Sequence, residues 1–308
     1  GYTLEQIKAG LQSLKADISA KYVVSKTNPG TEFLQETDTF DTWFSSAQWP
    51  FATLQSLDAE KNTQDFDRFY PTQVMETGYD ILPFWVMRML MVGNFQTGKM
   101  PFKDIYLHGL VRDQNGKKMS KSKGNVINPL EIIEQYGADA LRMALVIRST
   151  PGLDKSVGIG DFKAMRNFSN KIWNATRFIT TMDEIENTAN EKQAAAFQKR
   201  LETVSKDVSK QLADLKLGLA AETLHNEFWH WFCDEAIEET KAGKLPYSTL
   251  VDGLVTFLQL LHPFMPFITE TLWQILREQI KEDSQFKSKL AKETLEKLSQ
   301  PLLIQSSW

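Results

Sequence analysis

Residues 72–111 leave few folds open. TQVMET at 72–77 reads as a buried strand, ILPFWVMRMLMVG from Ile81 as a helix, and IYLHGLV at 105–111 as a second strand. The helical stripe is Ile81, Phe84, Trp85, Met89 and Val92, and the pattern stops at Gly93. A strand, a helix and a strand at this spacing predict a right-handed parallel crossover. Ligands of such sheets sit beyond the carboxyl ends of the strands, which singles out Gly78, Tyr79, Asp80 and the segment after Leu110.

Asp80 has two readings at this point. As an N-cap it satisfies an orphan amide of the helix beginning at Ile81, with Pro83 tolerated in the first turn. As a carboxylate at a strand end, behind a glycine that admits a ligand, it suits ribose hydroxyls. Spacing favours the cap, and the two roles are compatible.

GKKMSKSKGN, residues 116–125, follows the second strand almost directly and holds four lysines and two serines between Gly116 and Gly124. The glycines allow conformational change, while Asn128, Pro129 and Glu131 form a strong helix start just beyond. Lysine ammoniums are compact charges on flexible stems, suited to a triphosphate whose charge shifts during reaction. Composition alone leaves a solvated surface loop and a phosphate clamp equally open.

From about residue 160 the pattern is helical nearly throughout. Phe162, Met165, Phe168, Ile172, Ala175 and Ile179 form one stripe, and Arg166, Asn170, Asn174 and Arg177 line another face with no acid between 162 and 182. Such a face binds phosphates and unstacked bases, or is plain polar surface. Leu217, Ala221, Leu224, Phe228 and Phe232 predict core, leaving Trp229 and His230 as the exposed members of the aromatic cluster. His262 with Pro263 and Pro266 reads as a kinked buried helix, and 281–299 as a charged surface helix bearing Phe286, Leu290, Leu295 and Leu298. Residues 183–193 read as weakly structured. The N-terminal stretch offers an amphipathic helix over 3–21 and a short strand around Val23.

Composition excludes several classes. A net charge of −4 gives no global polyanion signal, so any such site must be a local cluster. One cysteine, Cys233, and four scattered histidines offer neither a disulfide nor zinc spacing. No apolar run reaches bilayer length and no secretory signal opens the chain, so the expected setting is cytoplasmic with no membrane contact.

KMSKS, residues 118–122, resembles the second signature loop of class I aminoacyl-tRNA synthetases, and its neighbours resemble the valyl branch. DTFDTWFSSAQWPF at 38–51 is similar to the strand and turn opening the second half of the catalytic domain, and TGYDILPFWVMRM at 77–89 matches the valyl pattern. NKIWNATRF at 170–178, FWHWFCDEAIE at 228–238 and LLHPFMPFITETLW at 260–273 resemble the anticodon-binding domain. The fold this implies is α/β plus all-α: half of a Rossmann-type parallel sheet followed by a helical bundle. The divisions are a connecting segment at 1–35, the second catalytic half at 36–160 and the anticodon-binding domain at 161–308.

The resemblance implies that Lys118, Ser120 and Lys121 act on the ATP phosphates, with Met119 and Ser122 beside them and magnesium entering with ATP. Gly78 and Asp80 would receive the ribose, and main-chain groups at His108, Gly109 and Val111 the adenine. Trp43 and Ile81 resemble walls of a valine pocket. Arg166, Asn170, Lys171, Asn174 and Arg177 are candidates for tRNA contact. The implied partners are tRNA(Val), valine, ATP and the N-terminal remainder of the same enzyme, in a monomer with no resident cofactor, metal or zinc. The sequence holds no His-x-Gly-His element and no editing insertion, so it reads as an enzyme fragment inactive by itself. The other reading is a non-catalytic tRNA-binding module, and within the class an isoleucyl or leucyl relative.

Overall fold

The computed structural model describes residues 3, 21–33, 35, 39–54, 63–120, 122, 124–182 and 191–307. It divides into two compact units, residues 1–45 and 46–308. In the first, Val23 and Val24 are exposed and carry no strand, so the expected strand there is absent; the helix expected over 3–21 lies outside the described residues. The stretch expected to open as a strand and turn is helical instead, with α1 at Thr42–Ala47 and α2 at Trp49–Ala52. Asp41 Oδ1 accepts from Trp43 N at 3.0 Å, and Pro50 sits in the first turn of α2, both ordinary helix-start chemistry.

Within the second unit, α3 (Thr63–Phe69) leads to β1 (Thr72–Gly78), which pairs in parallel with β2 (Phe102–His108). The crossover between them is not one regular helix. A 3-10 turn at Tyr79–Ile81 and a π-helical turn at Leu82–Val86 precede α4 (Met87–Thr97). Met89 is buried as the stripe predicts, but the π turn shifts the register so that Val86 and Gly93 are buried while Phe84 is exposed. Gly93 does not stop the helix. A Cβ there would lie 3.1 Å from the Tyr70 hydroxyl and 3.3 Å from Pro101, and the helix ends instead at Gly98, whose φ is +70°. β1 is less buried than its sequence suggests, with only Thr77 and Gly78 enclosed.

The expected second strand is split. After β2 ends at His108, β3 (Val111–Arg112) pairs in parallel with β4 (Lys155–Ser156) in a separate two-residue ladder. Between these lie α5 (Pro129–Tyr136), capped as expected by Asn128 accepting from Leu130 N at 3.1 Å, and α6 (Ala138–Val146).

The helical half begins with α7 (Ile159–Thr180), in which Phe162, Met165, Phe168, Ile172, Ala175 and Ile179 are all buried, as the stripe predicts. α8 (Glu191–Ala213) and α9 (Leu217–Asn226) follow, then a π-helical segment Glu227–Ala236, α10 (Ile237–Lys241), α11 (Tyr247–Leu261) and α12 (Pro266–Glu282). Phe228, Phe232 and Phe257 meet with ring centroids 5.3–5.4 Å apart in the core. His230 is exposed, whereas Trp229 is half-buried against Phe168 and His225.

His262 does not lie in one kinked helix. It closes α11, a break follows, and its Nδ1 lies 2.8 Å from Thr269 Oγ1. The 281–299 stretch likewise forms two short helices, α13 (Ser284–Ser288) and α14 (Lys292–Leu298), which bury Phe286 and Leu298 with Leu290 between them. Residues 183–190 lie outside the described residues.

Candidate functional site

The carboxyl ends of β1 and β2 meet in register, Gly78 opposite His108. Gly78 takes the cap position of the 3-10 turn, and Asp80 stands exposed inside that turn, so the N-cap role for Asp80 is not realised. A Cβ on Gly78 would come 2.8 Å from Asp80 Oδ1, and glycine therefore lets the carboxylate lie back over the strand end. His108 Nε2 is 3.2 Å from Glu76 Oε1 and its Nδ1 is 2.8 Å from Gly109 O.

Asp154 ties these ends together, and no local pattern announces it. Its Oδ1 accepts from Leu110 N at 2.8 Å, its Oδ2 accepts from Arg112, and the Tyr79 hydroxyl is also bonded to it. The Leu110 amide, then Arg112, hold the Asp154 carboxyl below the usual carboxylate range. Gly109 crosses directly under this turn: a Cβ built there would fall 1.8 Å from Leu153 O. Gly109→Ala must displace backbone, and a loss of about 1–3 kcal/mol is expected in equilibrium denaturation. An unchanged midpoint would show that the 152–154 turn moves aside freely.

The lysine loop grows out of β3, with Lys118 bridged antiparallel to Arg112 and Arg112 Nη1 donating to Gly116 O at 3.3 Å. Gly116 and Gly124 have φ of +75° and +64°, in the left-handed region that glycine adopts without strain. Asp113 accepts from Asn115 N and Lys117 N, both at 2.9 Å, and from Asn125 Nδ2 at 2.8 Å. Those bonds, that from Asn125 foremost, keep the Asp113 carboxyl ionised below its ordinary value. Asn125 Oδ1 accepts from Ser120 N at 2.9 Å, and the hydroxyls of Ser120 and Ser122 are 2.8 Å apart. Lys118 is exposed, Met119 half-buried, and Lys121 lies outside the described residues.

The structure thus brings Gly78, Asp80, His108, Gly109 and Val111 to one set of strand ends, with the loop of Lys118, Met119, Ser120 and Ser122 rooted beside them. Ile81 is half-buried in the turn after Asp80; Trp43 belongs to the other compact unit. On α7, Arg166, Asn170, Asn174 and Arg177 are exposed as expected. Lys171 is not a free cation: its Nζ is 3.1 Å from Asp234 Oδ1 and lies 5.3 Å over the Trp229 ring. Cys233 is buried, which pushes its thiol up to about 12. Among the described residues no cluster of ligating side chains could hold a metal ion, and no helix is long and apolar enough to cross a membrane.

Asp113, Asn125 and Asp154 escape sequence reasoning because their partners are backbone groups or distant side chains. Asp113 and Asn125 do flank the lysine cluster, which is the one local hint.

A parallel pair with a cationic loop at its carboxyl end, followed by a helical bundle, is what the family comparison matches. Residues 4–157 match the model of class I tRNA synthetases (I, L, M and V), and 195–305 match the anticodon-binding domain of tRNA ligase. The chain belongs to the class I tRNA synthetases. Its curated relatives include the valine–tRNA ligase of Dehalococcoides mccartyi strain CBDB1, 44% identical over 84% of this chain and 31% of that protein. That of Geobacillus stearothermophilus is 45% identical over 79% of this chain and 29% of that protein. The chain thus spans under a third of the length of these ligases. In fold it is similar to the Agrobacterium radiobacter K84 agnB2 LeuRS in its tRNA–LeuAMS complex, with TM-score 0.64, 21% identity, and coverage of 78% of this chain and 31% of that one. Mycobacterium tuberculosis methionyl-tRNA synthetase in complex with methionyl-adenylate gives TM-score 0.58, 18% identity, and coverage of 76% and 49%.

Proposed function

We propose that the chain is the portion of a valine–tRNA ligase that supplies the lysine-loop side of the ATP site and the anticodon-binding bundle. The observation that carries this reading is the rooting of the 116–125 loop beside the carboxyl ends of β1 and β2, in a sequence whose relatives are valine–tRNA ligases.

In the proposed reaction the valine carboxylate attacks the α-phosphorus of ATP and pyrophosphate leaves. Lys118 and Lys121 hold the β- and γ-phosphates and gain most as negative charge builds on the departing group, while magnesium arrives as part of the ATP substrate. Ser120 and Ser122 offer hydroxyls, with Met119 beside them. Gly78 and Asp80 take the ribose, main-chain groups at His108, Gly109 and Val111 the adenine, and Ile81 the branched side chain of valine. No protein group needs to carry a proton, because the carboxylate is already ionised. Arg166, Asn170, Asn174 and Arg177 take the tRNA, with Lys171 holding the face in place through Asp234. The ligase so formed is a cytoplasmic monomer.

Because the other phosphate-gripping element is not in this sequence, the 308-residue chain alone is expected to give valine-dependent pyrophosphate exchange at background. Exchange at ordinary enzyme rates would overturn that expectation. A second reading, tRNA binding without activation, is favoured by the exposed polar face of α7. Filter binding over a salt series checks it, with affinity falling steeply as salt rises if phosphates are held.

A further inference from the structure

The lysine loop is fastened by two side chains that meet across its neck. Asp113 stands at the incoming end and Asn125 at the outgoing end, with Asp113 Oδ2 accepting from Asn125 Nδ2 at 2.8 Å. Each then reaches into the loop. Asp113 Oδ1 takes the amides of Asn115 and Lys117, both at 2.9 Å. Asn125 Oδ1 takes the Ser120 amide at 2.9 Å, and its Nδ2 also reaches Lys118 O at 3.3 Å. The main chain on both sides of Lys118 is therefore held by this one pair, while the Lys118 side chain stays exposed.

Resting on the ligase reading, we propose that Asp113 and Asn125 are positioning residues for adenylate formation, setting the direction in which Lys118 and the Ser120 amide face the ATP phosphates. The pair is chemically directional. An ionised aspartate only accepts, so it can serve two amides and one donor, and asparagine alone can supply that donor while accepting from Ser120. Asp113→Asn sets donor against donor. Asn125→Asp sets carboxylate against carboxylate and adds negative charge to a loop that must hold a polyanion. Making both changes restores one donor facing one acceptor and leaves the net charge as it was.

The test is a four-way comparison in full-length ligase carrying this sequence: the native pair, each single change, and the double swap. Valine-dependent pyrophosphate exchange is read as kcat and as KM for ATP and for valine. Each single variant is expected to lose about 10- to 100-fold in kcat, the scale of a misplaced catalytic contact, with KM for valine nearly unchanged. The double swap is expected to regain most of that loss. Backbone amide hydrogen exchange in the same variants separates local release from global unfolding: protection should fall at Lys117 and Ser120 in the singles, return in the double, and stay native in the helical bundle. Native kcat in both singles, or a double swap as poor as the product of the singles, overturns the proposal. If Lys118→Ala in the same enzyme also turns over at the native rate, the reading of the loop as an ATP site fails as well.

Discussion

Lys118→Ala in a full-length ligase carrying this sequence is expected to lower kcat for valine-dependent pyrophosphate exchange by roughly 10²–10³-fold, with a smaller change in KM for ATP. The asymmetry follows from timing. Bound ATP already spreads its charge over metal and solvent, whereas the leaving pyrophosphate concentrates new charge beside the loop, so a preorganised ammonium stabilises the transition state more than the ground state. The setting of Lys118 suits the proposed use: its main chain is bridged to Arg112 and bonded by Asn125, and its side chain is exposed. Lys118→Arg should recover only part of the loss, since a planar fork cannot reproduce a compact point charge. Filter binding of tRNA by the same variants should be unchanged. Native exchange kinetics in Lys118→Ala would leave the lysine cluster as ordinary solvated surface.

The second large effect concerns stability. Asp139, at the start of α6, is 7% exposed, and its carboxylate accepts from Phe267 N at 3.2 Å and Ile268 N at 2.7 Å. These are first-turn amides of α12, which has no cap of its own from Met265. Arg142, one turn further along α6, donates to Phe264 O at 3.2 Å and Pro263 O at 3.0 Å in the same break. Asp139→Ala leaves two part-buried donors without their acceptor and removes a negative charge from a positive helix end, so a loss of about 1–3 kcal/mol is expected in urea denaturation. Burial raises the Asp139 carboxyl above its ordinary 3.8, against the lowering effect of the two amides and Arg142. The sign follows from linkage: the folded state binds this proton more readily, so that contribution is full below 3.8 and is lost as pH rises through the folded value. Asp139→Asn should lack that slope. Equal pH dependence in the two proteins would contradict the assignment.

How much of this could be read from the residues depends on range. The α7 stripe was legible because six apolar positions repeat at helical spacing and nothing distant interferes. Asn128 was legible because a cap is decided within a few residues, whereas the two loop glycines read only as freedom to change conformation and the structure supplies their left-handed φ. The crossover was legible in kind but only partly in register: Met89 is buried as the stripe predicts, whereas the π turn at Leu82–Val86 leaves Phe84 exposed and buries Val86 and Gly93. Gly93 looked like punctuation and is instead a close-packing position beneath Tyr70 and Pro101. The β3–β4 ladder is two residues long, too short for any alternation to show. In the site, the residue types proposed to hold phosphate and ribose stood out, whereas the groups bonded around them did not. Asp154 is 44 positions from the Leu110 amide it receives, and the bond between Asp113 and Asn125 spans 12 positions.

Lys155 gives that small ladder an unexpected mechanical standing. It is a β4 residue, yet its ammonium donates to Ala144 O at 2.8 Å, Leu145 O at 3.4 Å and Ile147 O, at the negative pole of α6. A two-rung ladder alone is too weak to keep its register. One nitrogen therefore pins the strand that pairs with the root of the lysine loop to the helix whose Asp139 caps α12. Through that one ammonium and the β3–β4 ladder, the root of the loop and the cap of α12 rest on the same helix.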